Sequence, residues 1–391
     1  MTQPNSAAPA FPFSAKPRPL DPERYRIHGV ERIPTPAVCV YPEIVAENID
    51  AALRLAAGDP ARLRPHVKTH KTAEIARMLL ARGVQKHKCA TLAEAKLLVD
   101  AGVCDILVAY PVVGPNIDRF VNLVCDHPHA AFSVLADHPE PVRALDDRLD
   151  AVGRAVEVLV DVDVGMGRTG VPLGPDVVAF HRFLRERRRL RPGGLHVYDG
   201  HNEDPDLAER SRIVAGAADA LRRVLGELRS AGFPVPRIVV GGSGSFHLWL
   251  DLAADLPALE GAPGTFVFSD WNYHQRYPDY GMTPAAVALA RVVSKPRPGR
   301  LTLDLGHKAV AGDVPAPSRA WFFDLASWSI VRQNEEHLVL DTPDAGGFQP
   351  GDVLYAIPYH VCPTVALHRD LWVVENGEIA GQWRVAARDR L

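Results

Sequence analysis

HKCATLAEAKLLVDAGVCDILVAY, His87–Tyr110, contains two short apolar runs separated by a helical stretch. HKCAT (87–91) and DILVAY (105–110) read as strands. LAEAKLLVDAG between them has apolar residues at i, i+3, i+4 and i+7, the period of an amphipathic helix. Strand, helix and strand in that order make a parallel β/α unit. The same alternation extends both ways, with apolar runs at PAVCVY (36–41), RPHVK (64–68), AFSVLA (131–136), VEVLVDVDV (156–164), GLHVY (194–198), RIVVGG (237–242) and TFVFSD (265–270). About eight such units close into a (β/α)8 barrel. The chain offers one strand more than that, and the first could pair elsewhere. From about Pro284 the texture changes to VALARVVSK, GRLTLDLG, EEHLVLDT and GDVLYAIP, strands with few helical gaps. The expected architecture is α/β: a mobile N-terminal arm over 1–30, a TIM-like barrel over 31–283, and an all-β domain over 284–391. No internal repeat is evident.

Bulk properties narrow the function classes. The 391 residues are 47% hydrophobic and 23% charged, with a net charge of −3, an ordinary globular balance. No basic block suggests nucleic acid or a membrane surface as partner. No apolar run approaches the roughly 20 residues of a spanning helix, and the N-terminus has no secretory pattern. Cys39, Cys89, Cys104, Cys125 and Cys362 are too scattered for a disulfide framework. Four of them sit in apolar runs as buried thiols do, which suits a reducing cytoplasm.

Chemistry is expected where the strands end, because active sites of such barrels lie at the C-terminal face. RPHVKTHK (64–71), read as a strand, would turn Arg64, His66, Lys68 and His70 to one face and leave Lys71 out of phase. Cations aimed inward imply an anion. ATLAEAK, DVDVGMGRTGV, LHVYDGHNED and VVGGSGSF likewise place polar or glycine-rich residues directly after apolar runs. The loop Gly241–Ser245 offers bare amides and hydroxyls of the kind that hold phosphate in late barrel loops. Arg168, in GMGRTG, would face the same mouth.

RPHVKTHK, KCATLAEAKLLVDAGVCDILVAYPVVGP, DVGMGRTG, GLHVYDGH and PYHVCPTVAL together resemble the D-threonine aldolase and D-serine dehydratase family, from about residue 30 to the end. These are pyridoxal-phosphate enzymes with an alanine-racemase-type barrel and a β-domain. The resemblance implies that Lys68 is the Schiff-base lysine, with His66 and Arg64 as cations that lower its basicity. It places Tyr198 beside the pyridine nitrogen and Arg168 near the ring's phenolic oxygen. Gly242, Ser243, Gly244 and Ser245, with Gly264 and Thr265, would cradle the phosphate.

HVC, read as a strand, would put His360 and Cys362 on one face, able to chelate one ion. The resemblance makes this a divalent metal site for zinc, manganese or magnesium, a Lewis acid for a β-hydroxyl. In this family an H-x-C pair goes with dehydratases, whereas the YDGH segment leans toward aldolases. Glu335, His337 and His201 are candidates for a base or a supporting role.

The leading expectation is a lyase that splits D-β-hydroxy-α-amino acids into glycine and an aldehyde. The alternative is a dehydratase of D-serine or D-threo-3-hydroxyaspartate giving a 2-oxo acid and ammonia. An amino-acid racemase and a non-catalytic cofactor-binding protein are weaker readings. The resemblance also implies a homodimer.

Overall fold

The structure is a computed structural model that describes residues 18–252, 255–256, 258–313 and 319–390. The described residues form two compact units, one of residues 18–48 and 267–388, the other of 49–266 with 389–390. In chain order the strands and helices open with β1 (Ala37–Val40) and α1 (Pro42–Leu55).

The second unit follows the β/α alternation. Its strands are β2 (Lys86–Cys89), β3 (Asp105–Pro111), β4 (Ala131–Ala136), β5 (Val156–Asp163), the short β6 (Val171–Pro172), β7 (Leu190–Val197), β8 (Ile238–Val240) and β9 (Leu259–Gly261). They pair in parallel in the order β2-β3-β4-β5-β7-β8-β9, with β6 on β5. The helices are α2 (Ala73–Leu80), α3 (Leu92–Asp100), α4 (Asn116–Asp126), α5 (Pro139–Ala151), α6 (Pro175–Arg185), α7 (Leu207–Ser230) and α8 (Phe246–Asp251).

The first helical unit shows how local sequence sets this pattern. Thr91 caps α3 by accepting the Glu94 N–H at 3.1 Å, and Glu94 Oε2 accepts the Ala90 N–H at 2.7 Å. Those bonds satisfy amides that a helix start leaves open. At the other end Gly102 takes φ +99°, and the Val103 N–H reaches the Leu98 carbonyl at 3.0 Å. A left-handed glycine there reverses the chain into β3.

RPHVK is not a regular strand. Its first part is extended and makes single parallel bridges, Leu63 to Gly261 on β9 and His66 to Lys88 on β2. It is the eighth position of the ring and closes it. The chain then tightens into a 3-10 turn at Val67–Thr69. TFVFSD is also not a strand, since Thr265–Val267 is another 3-10 turn, whereas β9 in LEG was missed. A three-residue strand gives too short a run for periodicity to register.

The first unit carries β10 (Ala286–Ser294), β11 (Arg300–Leu303), β12 (Ala320–Phe322), β13 (Ser329–Gln333), β14 (Leu338–Asp341), β15 (Val353–Pro358), β16 (Asp370–Glu375) and β17 (Glu378–Arg384), with α9 (Trp271–Arg276) and α10 (Val361–Leu367). β1 lies in its sheet, antiparallel to β10 and parallel to β16. Alternating residues of β11 and β14 (Leu301, Leu303, Leu338, Leu340) turn inward with Phe322 and Leu354 to form its core. The expected arm over 1–30 is different within its described part. Residues 22–25 form a 3-10 turn, Tyr25 is buried, and its hydroxyl donates to the Pro284 carbonyl at 2.8 Å. Residues 1–17 lie outside the described residues. Cys104 and Cys125 are exposed, so apolar neighbours in sequence did not make them buried thiols.

Candidate active site

Three cations surround one aromatic ring in the barrel unit. Lys68 Nζ, Lys88 Nζ and Arg168 Cζ lie 5.9, 5.6 and 5.0 Å from the centroid of Tyr198. Tyr198 directly follows β7, Lys88 is on β2, and Arg168 is in the glycine-rich segment between β5 and β6. Lys68 sits in the 3-10 turn, whose preceding residue His66 accepts the Lys68 N–H on Nδ1 at 3.1 Å. Among the described residues no carboxylate pairs with the Lys68 or Lys88 ammonium.

Charge in this pocket is poorly solvated. Lys88 is 2% exposed, and burial, reinforced by the Lys68 charge, pushes its pKa down to about 7. Burial and the same two ammoniums hold His66 neutral, well below the usual imidazole range. Lys88 Nζ is 3.5 Å from His196 Nε2, and His196 Nδ1 is 2.7 Å from Asp161 Oδ1. Burial alone would raise the Asp161 carboxyl, but the His196 hydrogen bond and nearby cations outweigh it and hold it ionised. One carboxylate therefore faces three cations, and the pocket suits an anionic ligand.

The glycine-rich loop after β8 is built to stay open. Gly241 has φ +71°, and a Cβ there would come within 2.9 Å of the Phe246 backbone. A Cβ on Gly242 would be 3.0 Å from Tyr198 Cε2, and one on Gly264 would be 3.2 Å from His66 Cβ. Position 241 thus requires glycine, and any Cβ at the other two positions would press on Tyr198 or His66. Ser245 Oγ donates to Asp199 Oδ1 at 2.6 Å and accepts the Gly242 N–H at 3.2 Å, while Ser243 Oγ accepts the Gly264 N–H at 3.0 Å. Both hydroxyls thus brace the loop. The N–H groups of Ser243 and Gly244 have no protein partner among the described residues. A cradle that a Cβ would fill, with open amides and three cations in the same unit, fits a phosphorylated cofactor. Thr265 is buried in the turn that follows.

Other expected residues are placed differently. Arg64 does not share a face with Lys68, because the segment is no regular strand. Its guanidinium is fully buried and bonds Glu260 at 2.6 Å and Asp105 at 2.7 and 3.1 Å. Asp105 begins β3, so Arg64 binds near the strand starts, and its charge is neutralised there. The buried cation that lies against the same ring as Lys68 is Lys88 instead. His70 is buried and accepts the Thr72 N–H at 3.2 Å. Lys71 forms an ion pair with buried Glu94. His201 is exposed, close to Gly165. Lys88, His196 and Asp161 were not foreseen. Each occupies a position in an apolar strand, and a charged residue between buried neighbours was the available signal.

His360 and Cys362 lie in the other unit. HVC is not a strand: His360 is the residue that starts α10, and Cys362 is in its first turn. The two are nevertheless hydrogen-bonded. Burial disfavours charge on His360, but the bond to Cys362 and the charges of Cys362, Asp270 and Asp313 outweigh it and push its pKa up to about 9. His360 Nδ1 is 2.6 Å from Asp313 Oδ2. Asp270 Oδ2 accepts the N–H of Val361, between the pair, at 3.1 Å. An imidazole oriented by a carboxylate on one nitrogen, next to a thiol, is a donor set that suits a zinc-like ion. Among the described residues no cluster of three or more metal-binding side chains exists, so this site would take further ligands from solvent or substrate. Glu335 is exposed and pairs with Lys308 at 2.7 Å, and His337 uses its carbonyl to accept the Asn334 N–H.

Comparison with known proteins places this architecture. The family described as alanine racemase, N-terminal domain, matches residues 42–268, and a putative serine dehydratase domain matches 285–374. The chain is 31% identical to a D-threonine aldolase of an Arthrobacter species over 91% of this chain and 93% of that protein. It is 26% identical to a D-threo-3-hydroxyaspartate dehydratase of a Delftia species, over 85% and 92% of the two chains. The crystal structure of a D-threonine aldolase from Filomicrobium marinum superposes with a TM-score of 0.84 at 28% identity, covering 93% of this chain and 97% of that one. With the barrel matched along most of its length and an aldolase aligned over about nine-tenths of both chains, the chain belongs to the D-threonine aldolase and D-serine dehydratase family of alanine-racemase-type proteins.

Proposed function

We propose that this protein is a metal-assisted, pyridoxal-phosphate-dependent lyase of the D-threonine aldolase type. It cleaves D-β-hydroxy-α-amino acids to glycine and an aldehyde. The observation that carries this reading is the alignment with the Arthrobacter D-threonine aldolase over nearly the whole of both chains.

When bound, pyridoxal phosphate supplies an electron sink, so that a bond to the substrate's Cα can break heterolytically. Lys68 supplies the amine that holds it, free of any carboxylate partner among the described residues. Tyr198 offers a phenol beside the pocket's cations, and Arg168 stacks its positive charge on that ring at 5.0 Å. The Ser243 and Gly244 amides, in a loop braced by Ser245 and Asp199, would receive the phosphate. His66 stays neutral and accepts the Lys68 N–H, which fixes the turn that aims the lysine. His360 and Cys362 would hold a divalent ion, a Lewis acid for the substrate's β-oxygen. Lys308 neutralises Glu335, which makes Glu335 a poor base.

Cys362 favours the second reading, a dehydratase giving a 2-oxo acid and ammonia, in which Lys68 would take the Cα proton. No helix among the described residues is long and apolar enough to cross a membrane. We place the enzyme in the cytoplasm as a homodimer.

The test is product analysis. Purified protein with pyridoxal phosphate and zinc or manganese is offered D-threonine, D-serine and D-threo-3-hydroxyaspartate. Glycine with aldehyde supports the aldolase, whereas a 2-oxo acid with ammonia overturns it in favour of the dehydratase.

A further inference from the structure

The barrel interior holds a second lysine that the proposed chemistry does not use. Lys88 is buried on β2, and its ammonium has no carboxylate partner among the described residues. Such a group is unfavourable unless it is neutral or meets an anion. Its one polar side-chain contact is His196 Nε2 at 3.5 Å. His196 Nδ1, 2.7 Å from the Asp161 carboxylate, must carry the proton of that bond, which leaves Nε2 as an acceptor toward Lys88. One N–H of Lys88 is thereby fixed on His196. Lys88 Nζ and Lys68 Nζ lie at nearly equal distances from the Tyr198 centroid, 5.6 and 5.9 Å. Both ammoniums therefore border the same aromatic ring.

We propose that Lys88 is a further binding residue of this site, donating a charged hydrogen bond to an anionic oxygen of the ligand bound beside Tyr198, with His196 and Asp161 as its positioning residues. The oxygen belongs either to the cofactor's phenolic group or to the amino acid's carboxylate. This rests on the function proposed above. Burial and the Lys68 charge bring Lys88 to a pKa of about 7, so its charge is available when an anion arrives. The charged or titratable groups around it are Lys68, His66, Arg64, Arg168, His196, Asp161 and the Tyr198 phenol, and among these only Asp161 is a carboxylate.

The test uses the full chain, stripped of cofactor and titrated with pyridoxal phosphate by visible absorbance, then the loaded enzyme titrated with glycine. Lys88→Met, similar in volume, is compared with wild type, and thermal melting verifies folding. A charged hydrogen bond predicts about tenfold or greater weakening. Weaker cofactor binding with unchanged glycine binding identifies the phenolic oxygen, and the converse identifies the carboxylate. If neither affinity changes while wild type binds cofactor, this inference alone is overturned. If wild type forms no visible band, the proposed function falls and takes the inference with it. Asp161→Asn supplies a second arm if Lys88→Met does not fold. Removing the acid lowers the Lys88 pKa, so ligand affinity should begin to fall at lower pH than in wild type. A lower melting temperature with an unmoved pH profile would make Asp161 merely structural and remove the positioning claim.

Discussion

Lys71 is paired with Glu94, a carboxylate that is 1% exposed and whose second oxygen is bound by the Ala90 N–H. Three residues earlier, Lys68 has no such partner among the described residues and lies against the Tyr198 ring. The two lysines of RPHVKTHK are thus separated by their partners rather than by strand phase. Lys68→Ala should abolish the visible absorbance of the loaded protein and leave its melting temperature close to wild type. Lys71→Ala should keep the absorbance and lose about 3 kcal/mol of stability, because Glu94 would be buried without its cation. The opposite assignment of these two effects would exchange the roles of the lysines.

Arg64 makes a different prediction from the one its place in the sequence suggests. Its guanidinium joins Glu260 and Asp105, and Lys86 shares Glu260 at 2.6 Å. Because residues 63–66 supply the closing position of the ring, Arg64 ties that segment to β3 and β9. Arg64→Met should destabilise the barrel by about 3–5 kcal/mol, measured in urea, since two acids lose a buried partner. The cofactor affinity of the protein that remains folded should stay within about twofold of wild type. A selective loss of affinity without loss of stability would return Arg64 to the site.

Acid should unfold this protein early. Burial is the main reason that His70 and His87 are pushed down to about 3. An unfolded chain protonates histidine near 6.5, so the unfolded state binds protons that these two refuse when folded. Their contribution to stability is therefore flat above about pH 6.5 and is lost as pH drops toward 3, by about 1.4 kcal/mol per pH unit for each histidine. His70 Nδ1 accepts the Thr72 N–H, a bond that protonation would break. His70→Asn removes the titration, and urea melts at pH 6, 5 and 4 should show a slope shallower by about 1.4 kcal/mol per unit. An unaltered slope would exclude His70 as a source of acid sensitivity.

The fold was legible where local signals agreed. Thr91, Glu94 and Gly102 mark both ends of α3, and DILVAY can be little but a strand. What failed was phase. RPHVK has strand composition, yet it makes only two single bridges before the turn at Val67, so a period of two assigned a common face that does not exist. HVC failed in the same way: His360 starts a helix, and the pair meets through the first turn of α10. The site was legible as residue types in loops, and Lys68, Arg168 and Tyr198 do converge. The Lys88–His196–Asp161 chain was hidden because its members lie on three strands far apart in sequence: pairing of β5 with β7 sets Asp161 beside His196, and curvature of the sheet brings Lys88 on β2 to them.

The pair at the start of α10 gives the last prediction. Asp313 holds His360 by Nδ1 at 2.6 Å, which leaves Nε2 as the nitrogen that an ion would take. A carboxylate in that place fixes the ring's orientation and makes the other nitrogen a better donor. Asp313→Asn should then weaken zinc binding by about 10–100-fold, measured by competition with a coloured chelator, and leave the cofactor's absorbance unchanged. Cys362→Ala should weaken it further, because the thiolate is lost outright. Removing metal from the wild type with a chelator should stop turnover, and adding zinc or manganese should restore it. If chelator-treated enzyme keeps full activity while Asp313→Asn and Cys362→Ala bind zinc as wild type does, the pair is structural and the β-oxygen must be activated by another group.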